Sequence, residues 1–254
     1  MSIIALRAWY LQDYEPINEL EKRPADIRLS KKSLLKSALR ADFLDDTDDI
    51  KKSTWFGRYL EGDNIEFYIE GSGGYCVANI DLISHEIYFT KQALLSQLEP
   101  TIFFCQQTEF TESSESLREG LQQSLDKLNK RSRLPLALVE SYRPKEGPAR
   151  LNRTMMRKIR RSLLFIADVT PIARIDGETP QVIPSPNVCI DIGYAIQSKR
   201  TEQILLTYQQ RPEFPGQFPF DLPPSQVLQF KNTKELNHIL TDALETQLGR
   251  FKLF

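Results

Sequence analysis

The sequence predicts an α/β protein: a doubly wound parallel sheet of five strands at residues 98–254, behind a small α+β domain at residues 1–97. Three observations carry that expectation. Apolar runs of strand length alternate with helix-period segments from residue 101 onward. The strand candidates are apolar on both faces, as a parallel sheet covered by helices requires. The charge is also uneven: residues 1–95 hold 12 basic and 16 acidic residues, whereas residues 96–254 hold 21 and 18. That shift puts a boundary near residues 97–100, where a short polar stretch precedes a new apolar run.

The elements of the second part follow in order. Residues 101–106 (TIFFCQ) form the first strand. A helix then carries Leu117, Leu121, Leu125 and Leu128 on one face, with Ser116 and Glu119 as its expected capping box. Residues 134–139 are the second strand. Asn152 can cap a short helix that turns Met155, Met156 and Ile159 inward. Residues 163–169 are the third strand. Ser185 and Pro186 open the next helix as N-cap and first helical residue. Residues 203–208 and 226–230 are the last two strands. Five prolines between them, Pro212, Pro215, Pro219, Pro223 and Pro224, argue against a connecting helix. The final helix starts near Asn232, with Glu235 three residues on and Leu236, Ile239, Leu240, Ala243, Leu244 and Leu248 on one stripe. Five strands in this alternation give a flavodoxin-like sheet, order 2-1-3-4-5.

The first part reads as one helix at residues 30–39 and three strands at residues 65–69, 75–82 and 86–90. The turns fall at Gly71-Ser72-Gly73-Gly74 and at Ser84-His85. The glycine run lacks the GK[ST] of a phosphate loop, so it is a hairpin turn. The stretch 42–49, with five aspartates, is expected to be a solvated loop. Trp9, Tyr10, Trp55 and Phe56 are core candidates.

Composition removes several function classes. The chain has 254 residues with 33 Lys+Arg and 34 Asp+Glu, too balanced for a dedicated nucleic-acid binder. No apolar run reaches the roughly 18 residues of a membrane helix, and Arg7 breaks the first apolar stretch, unlike a secretory signal. Cys76, Cys105 and Cys189 are far apart and odd in number, so no disulfide framework or CxxC metal spacing arises. No metal site is expected, and His85 and His238 sit in no catalytic motif. A reduced, cytoplasmic protein is the expectation. The basic run 143–161, including Arg143, Lys145, Arg150, Arg153 and Arg157, is read as a solvated face.

Ligands of open α/β sheets bind beyond the carboxyl ends of the strands, at the switch point. Here that point brings together Gln106 and Gln107 after the first strand, Asp168 at the end of the third, and the helix opened by Ser185. On that helix Asn187, Asp191, Tyr194 and Ser198 fall within about 60° of one another, a polar stripe beside the apolar Val188, Ile192, Ala195 and Ile196. Periodicity alone leaves Asp191 open between an ordinary helix acid and a ligand-facing carboxylate. Gln106, Gln107, Asp168, Asn187 and Tyr194 are the substrate-binding candidates around it.

Residues 185–197 (SPNVCIDIGYAIQ) resemble the PNVxxELGYA motif of TIR-like nucleotide-binding domains, bacterial relatives of Toll/interleukin-1-receptor domains. The segment is also similar to the matching helix of nucleoside deoxyribosyltransferases. Residues 163–170 (LLFIADVT) resemble the family's IADxT strand, and residues 218–240 (FPFDLPPSQVLQFKNTKELNHIL) its xPFDLxxxxVIxY…xxELxxxL ending. The resemblance spans roughly residues 100–250; residues 1–95 carry none. It implies cleavage of an N-glycosidic bond, with NAD or a related nucleotide as substrate and no cofactor. Nicotinamide in NAD is already a cationic leaving group, and one carboxylate can stabilise an oxocarbenium-like transition state. The family's catalytic Glu corresponds to Asp191. Asp shortens the reach by one methylene, about 1.5 Å, and a misplacement of about 1 Å costs on the order of 100-fold in rate. The resemblance therefore implies either an active hydrolase, a self-associating bacterial defence or stress effector, or a catalytically silent nucleotide-binding sensor or adaptor. A deoxyribosyltransferase-like enzyme ranks last, because no second carboxylate is positioned to protonate a base.

Overall fold

A computed structural model gives the structure, describing residues 5–36, 39–44, 47–92, 97–141, 153–218 and 223–254. The chain divides into two compact units, Met1–Leu98 and Glu99–Phe254.

The first unit is a closed antiparallel barrel. Its strands are β1 (Ala5–Tyr10), β2 (Ile27–Lys36), β3 (Leu39–Leu44), β4 (Glu66–Ile69), β5 (Gly73–Asp81) and β6 (Glu86–Lys91), in the order β1-β2-β3-β6-β5-β4. Pairing of Ala8 with Ile69 brings β4 back against β1 and removes the sheet edges. Short helices α1 (Ile17–Leu20), α2 (Thr47–Lys52) and α3 (Thr54–Leu60) lie between strands. The core is aromatic: Trp55 meets Phe67 edge-on with ring centroids 5.0 Å apart, and both are buried. The two expected turns are there. Gly71 and Gly73 take φ of +65° and +101° between β4 and β5, a conformation that glycine alone enters without strain. At the β5–β6 turn Asp81 Oδ1 accepts from the Ile83 and Ser84 amides at 2.9 and 3.0 Å.

Two expectations for this unit are corrected. The helix expected at residues 30–39 is instead most of β2 and the first residue of β3. Local helix preference loses there because β2 pairs with β1 on one side and β3 on the other, with a register shift between Ser30 and Leu34. The aspartate-rich stretch is not simply a solvated loop either. Asp42 lies in β3 and is buried, and Asp48 and Asp49 open α2, where a helix N-terminus favours acids. Asp45 and Asp46 fall outside the described residues.

The second unit is a five-stranded parallel sheet with helices. Its strands are β7 (Glu99–Cys105), β8 (Ala137–Glu140), β9 (Ser162–Asp168), β12 (Ile204–Gln209) and β13 (Val227–Phe230), in the spatial order β8-β7-β9-β12-β13. Every residue of the central β9 is buried. The helices are α4 (Thr111–Leu128), α5 (Arg153–Arg161), α6 (Pro186–Ser198) and α7 (Thr233–Leu248). Phe103, Cys105, Phe165, Ala167, Ile204 and Leu206 share one face with Met155 and Ile159 of α5 and Val188, Ile192 and Ala195 of α6. Ile102 and Phe104, the buried alternates in β7, point to the opposite face. There α4 and α7 pack on each other through Ser124 and Thr241 (2.9 Å) and through Gly120, where a β-carbon would come within 3.1 Å of Leu240.

The expected capping box at Ser116 and Glu119 is also corrected. Helix α4 starts five residues earlier, at Thr111, and the Ser116 hydroxyl bonds Thr233 instead. A small hairpin of β10 (Ala173–Ile175) and β11 (Gln181–Ile183) between β9 and α6 escaped the sequence reading because each strand has three residues, too few to show alternation. Asn152 and residues 219–222 of the quoted motifs lie outside the described residues, as do Arg143, Lys145 and Arg150; Arg153 and Arg157 are exposed on α5.

Candidate functional site

Helix α6 sets the geometry. Ser185 is its N-cap and Pro186 its first residue, with the Cys189 amide bonded to the Ser185 carbonyl at 3.0 Å. The Ser185 hydroxyl does not cap the helix. It donates to Glu109 Oε1 at 3.0 Å, tying the start of α6 to the loop after β7. Glu109 also takes the Thr108 amide at 3.0 Å on its other oxygen. It is a carboxylate beside a helix N-terminus that sequence reasoning missed, although it lies two residues past the glutamine pair already singled out.

Asp191 is 2% exposed and faces the carboxyl edge of the sheet. The Cys105 thiol, on the last residue of β7, donates to Asp191 Oδ2 at 3.2 Å. The rotation of α6 differs from expectation. Asp191 joins Val188, Ile192 and Ala195 on the buried side, while Ile196, expected in the core, is half exposed, as is Ile190. Of the polar stripe, Asp191 is the buried member, and Ser198 is half-buried. Asn187 and Tyr194 flank Asp191 on the same helix, each half-buried. Tyr194 packs against the cluster that contains Val188 and Ile192.

Asp168 is fully buried and heavily engaged. Its Oδ2 accepts from the Ser113 and Ser114 hydroxyls at 2.6 and 2.7 Å, and its Oδ1 accepts from the Thr170 amide at 3.0 Å. It fastens the end of β9 to the first turn of α4. Gln107 joins the same network: its amide donates to Ser114 Oγ at 3.0 Å and its Nε2 donates to the Thr170 carbonyl at 3.1 Å. The Gln107 Oε1 atom is buried with no donor among the described residues, a costly arrangement for an amide oxygen. Gln106 turns the other way. Its amide and Nε2 donate to Ser141 Oγ and the Ser141 carbonyl at 3.1 and 3.0 Å, and Arg118 donates to its Oε1.

Four of the six predicted residues thus fall into three groups at one sheet edge. Gln107 and Asp168 are joined through Ser114 and Thr170. Gln106 is bound toward β8. Asp191 is joined to Cys105, the residue immediately before Gln106. Beside them, on the α6 face of the sheet, a cavity of about 730 Å³ is lined by Val169, Leu206, Tyr208, Arg211 and neighbouring residues, and none of the six predicted residues lines it. Burial pushes the Tyr208 phenol in this cavity up from its ordinary pKa, and the Cys189 thiol on α6 likewise. Among the described residues no group of three or more His, Cys, Asp or Glu side chains is arranged to hold a metal ion, and no helix is long and apolar enough to cross a membrane. No protein-family model matches the chain, and no curated protein matches it.

Proposed function

We propose that the second unit is a TIR-like, flavodoxin-like nucleotide domain that cleaves the N-glycosidic bond of NAD or a related nucleotide, with Asp191 as the catalytic carboxylate. One observation carries the reading: the Asp191 carboxylate is turned off the surface of α6 and into the carboxyl edge of the parallel sheet, against Cys105. Ligands of such sheets collect at that edge. The strand order, with β8 and β9 flanking β7, supports the doubly wound reading, in which the switch point lies between β7 and β9. A carboxylate held away from water stabilises developing positive charge on the ribose more strongly than a solvated one. Gln107, Asn187 and Tyr194 would contact the substrate around it. Asp168 and Gln106 would shape the edge, because their polar atoms already hold neighbouring elements. In this reading the protein is cytoplasmic and self-associates, and the first unit senses a signal or drives assembly.

The test is nicotinamide release from NAD by the full chain at high protein concentration. Release is expected, and Asp191→Ala should lower it on the order of 100-fold or more. Release unchanged in Asp191→Ala removes the residue from the chemistry.

A second reading is a catalytically silent nucleotide-binding module. It is favoured by the 2% exposure of Asp191, which leaves its carboxylate little open surface. It predicts that NAD raises the thermal midpoint and is recovered intact.

A further inference from the structure

The cavity of about 730 Å³ is not used by the Asp191 reading, yet it falls within the size range of small-molecule sites, about 300–1,000 Å³. Its apolar lining includes Val169 just past β9, Leu206 within β12 and Val227 at the start of β13. Its walls are aromatic. Tyr208 and Phe218 meet edge-on with ring centroids 5.0 Å apart, and Phe214 lies on the loop above them. Gln181, Gln210, Gln217 and Gln229 also line the space. Gln229 Oε1 accepts from the Tyr208 hydroxyl at 2.8 Å.

Arg211 is the single charged residue among the described lining residues, and its charge is already matched. It pairs with Glu213 at 2.7 Å and donates to the Pro171 carbonyl at 2.9 Å. Its guanidinium also lies 4.3 Å from the Phe110 ring centroid and 4.6 Å from that of Phe214. The walls are fastened to each other as well. The Gln217 amide donates to the Pro180 carbonyl and the Val182 amide to the Gln217 carbonyl, both at 2.9 Å. A β-carbon on Gly216 would lie 2.7 Å from the Pro180 oxygen, so this close approach of loop and hairpin requires glycine.

We propose that this cavity binds an uncharged, planar heteroaromatic ligand of the nucleobase class, at a site separate from Asp191. The apolar lining and aromatic rings receive the faces of such a ring. A glutamine amide carries a donor and an acceptor side by side, the pattern that complements an amide-like ring edge, and four glutamines are among the lining residues. Among the described lining residues the one cation is already paired with a carboxylate, so it is a weak counter-charge for a phosphate. The site stands or falls independently of the hydrolase reading.

The experiment is calorimetric titration of the full chain with adenosine, adenine, nicotinamide and AMP. At least one of the three uncharged probes binds saturably, and AMP binds no more tightly than adenosine. Phe214→Ala, on a surface loop, weakens that binding about tenfold or more, as loss of a stacking ring does. Asp191→Ala leaves it unchanged. Gly216→Val, which pushes the loop off the hairpin, abolishes it, with the thermal midpoint reporting whether that variant folds; if it does not, Phe214→Ala carries the test. The proposal is overturned by no saturable binding of the uncharged probes at about 1 mM, by undiminished binding to Phe214→Ala, by loss of binding in Asp191→Ala, or by a marked preference for AMP.

Discussion

Asp168 and Asp191 are two buried aspartates at one sheet edge. Asp168 accepts three bonds from Ser113, Ser114 and the Thr170 amide, so its role is to hold β9 to α4. Asp168→Ala strips the acceptor from three buried donors and should destabilise the fold by about 3 kcal/mol, read from the urea midpoint. Lys199, just past α6, shows the reverse economy of charge. It is 9% exposed and its Nζ donates to the Ser162 carbonyl at 2.6 Å. Burial lowers its pKa from 10.5 to about 7. Below pH 7 folded and unfolded chains both hold the proton, and the cost of burying the cation is complete. Between about 7 and 10.5 the unfolded chain holds a proton the folded chain has released, so stability rises with pH by up to about 1.4 kcal/mol per unit. Above that window the gain is constant. Lys199→Met should flatten this slope and be more stable than the parent at about pH 6, as urea unfolding at about pH 6 and about pH 9 would show.

At the scale of elements, α7 has the clearest cap. Asn232 Oδ1 accepts from the Glu235 amide at 3.0 Å, and the Glu235 carboxylate takes the Lys231 amide at 2.8 Å. Asn232→Ala should cost about 1 kcal/mol in urea unfolding, with the rest of the helix unchanged by circular dichroism. This helix was legible because its cap, its leucine stripe and its length all agree. Helix α6 was legible for the same reason at its start, where Ser185 and Pro186 mark the first turn. Its rotation was not. Ile190 and Ile196 look like core residues by type, and only the packed partner decides that Asp191 goes inward and Ile196 outward. Segment 30–39 failed differently. Its leucines fit a helix period, but the barrel's closure needs a strand there, and closure is a long-range demand that no local window carries. The Asp168 network was invisible as well. Ser113 and Ser114 are 55 and 54 residues from their acceptor, and serines in a first helical turn read as ordinary helix starters.

At the scale of the molecule, two cores are built from separate stretches of chain. The cluster around Trp55, Phe67 and Phe89 draws all its residues from the first unit, and the cluster around Phe103, Phe165 and Leu206 draws all of its from the second. The charge division and the polar stretch at residues 97–100 fall where one set of contacts gives way to the other. A chain segment with its own core can fold without its neighbour. The fragment 99–254 should therefore unfold in one cooperative thermal transition and keep slow amide exchange in β7, β9 and β12, whose residues are the most buried in the sheet. A fragment that exchanges those amides at unfolded rates would show that the sheet depends on the barrel. With a folded fragment in hand, nicotinamide release can be compared with that of the full chain. Equal rates per Asp191 assign the chemistry to the sheet unit alone. A fragment that folds, protects β7 and releases nothing while the full chain is active makes the barrel a required activator.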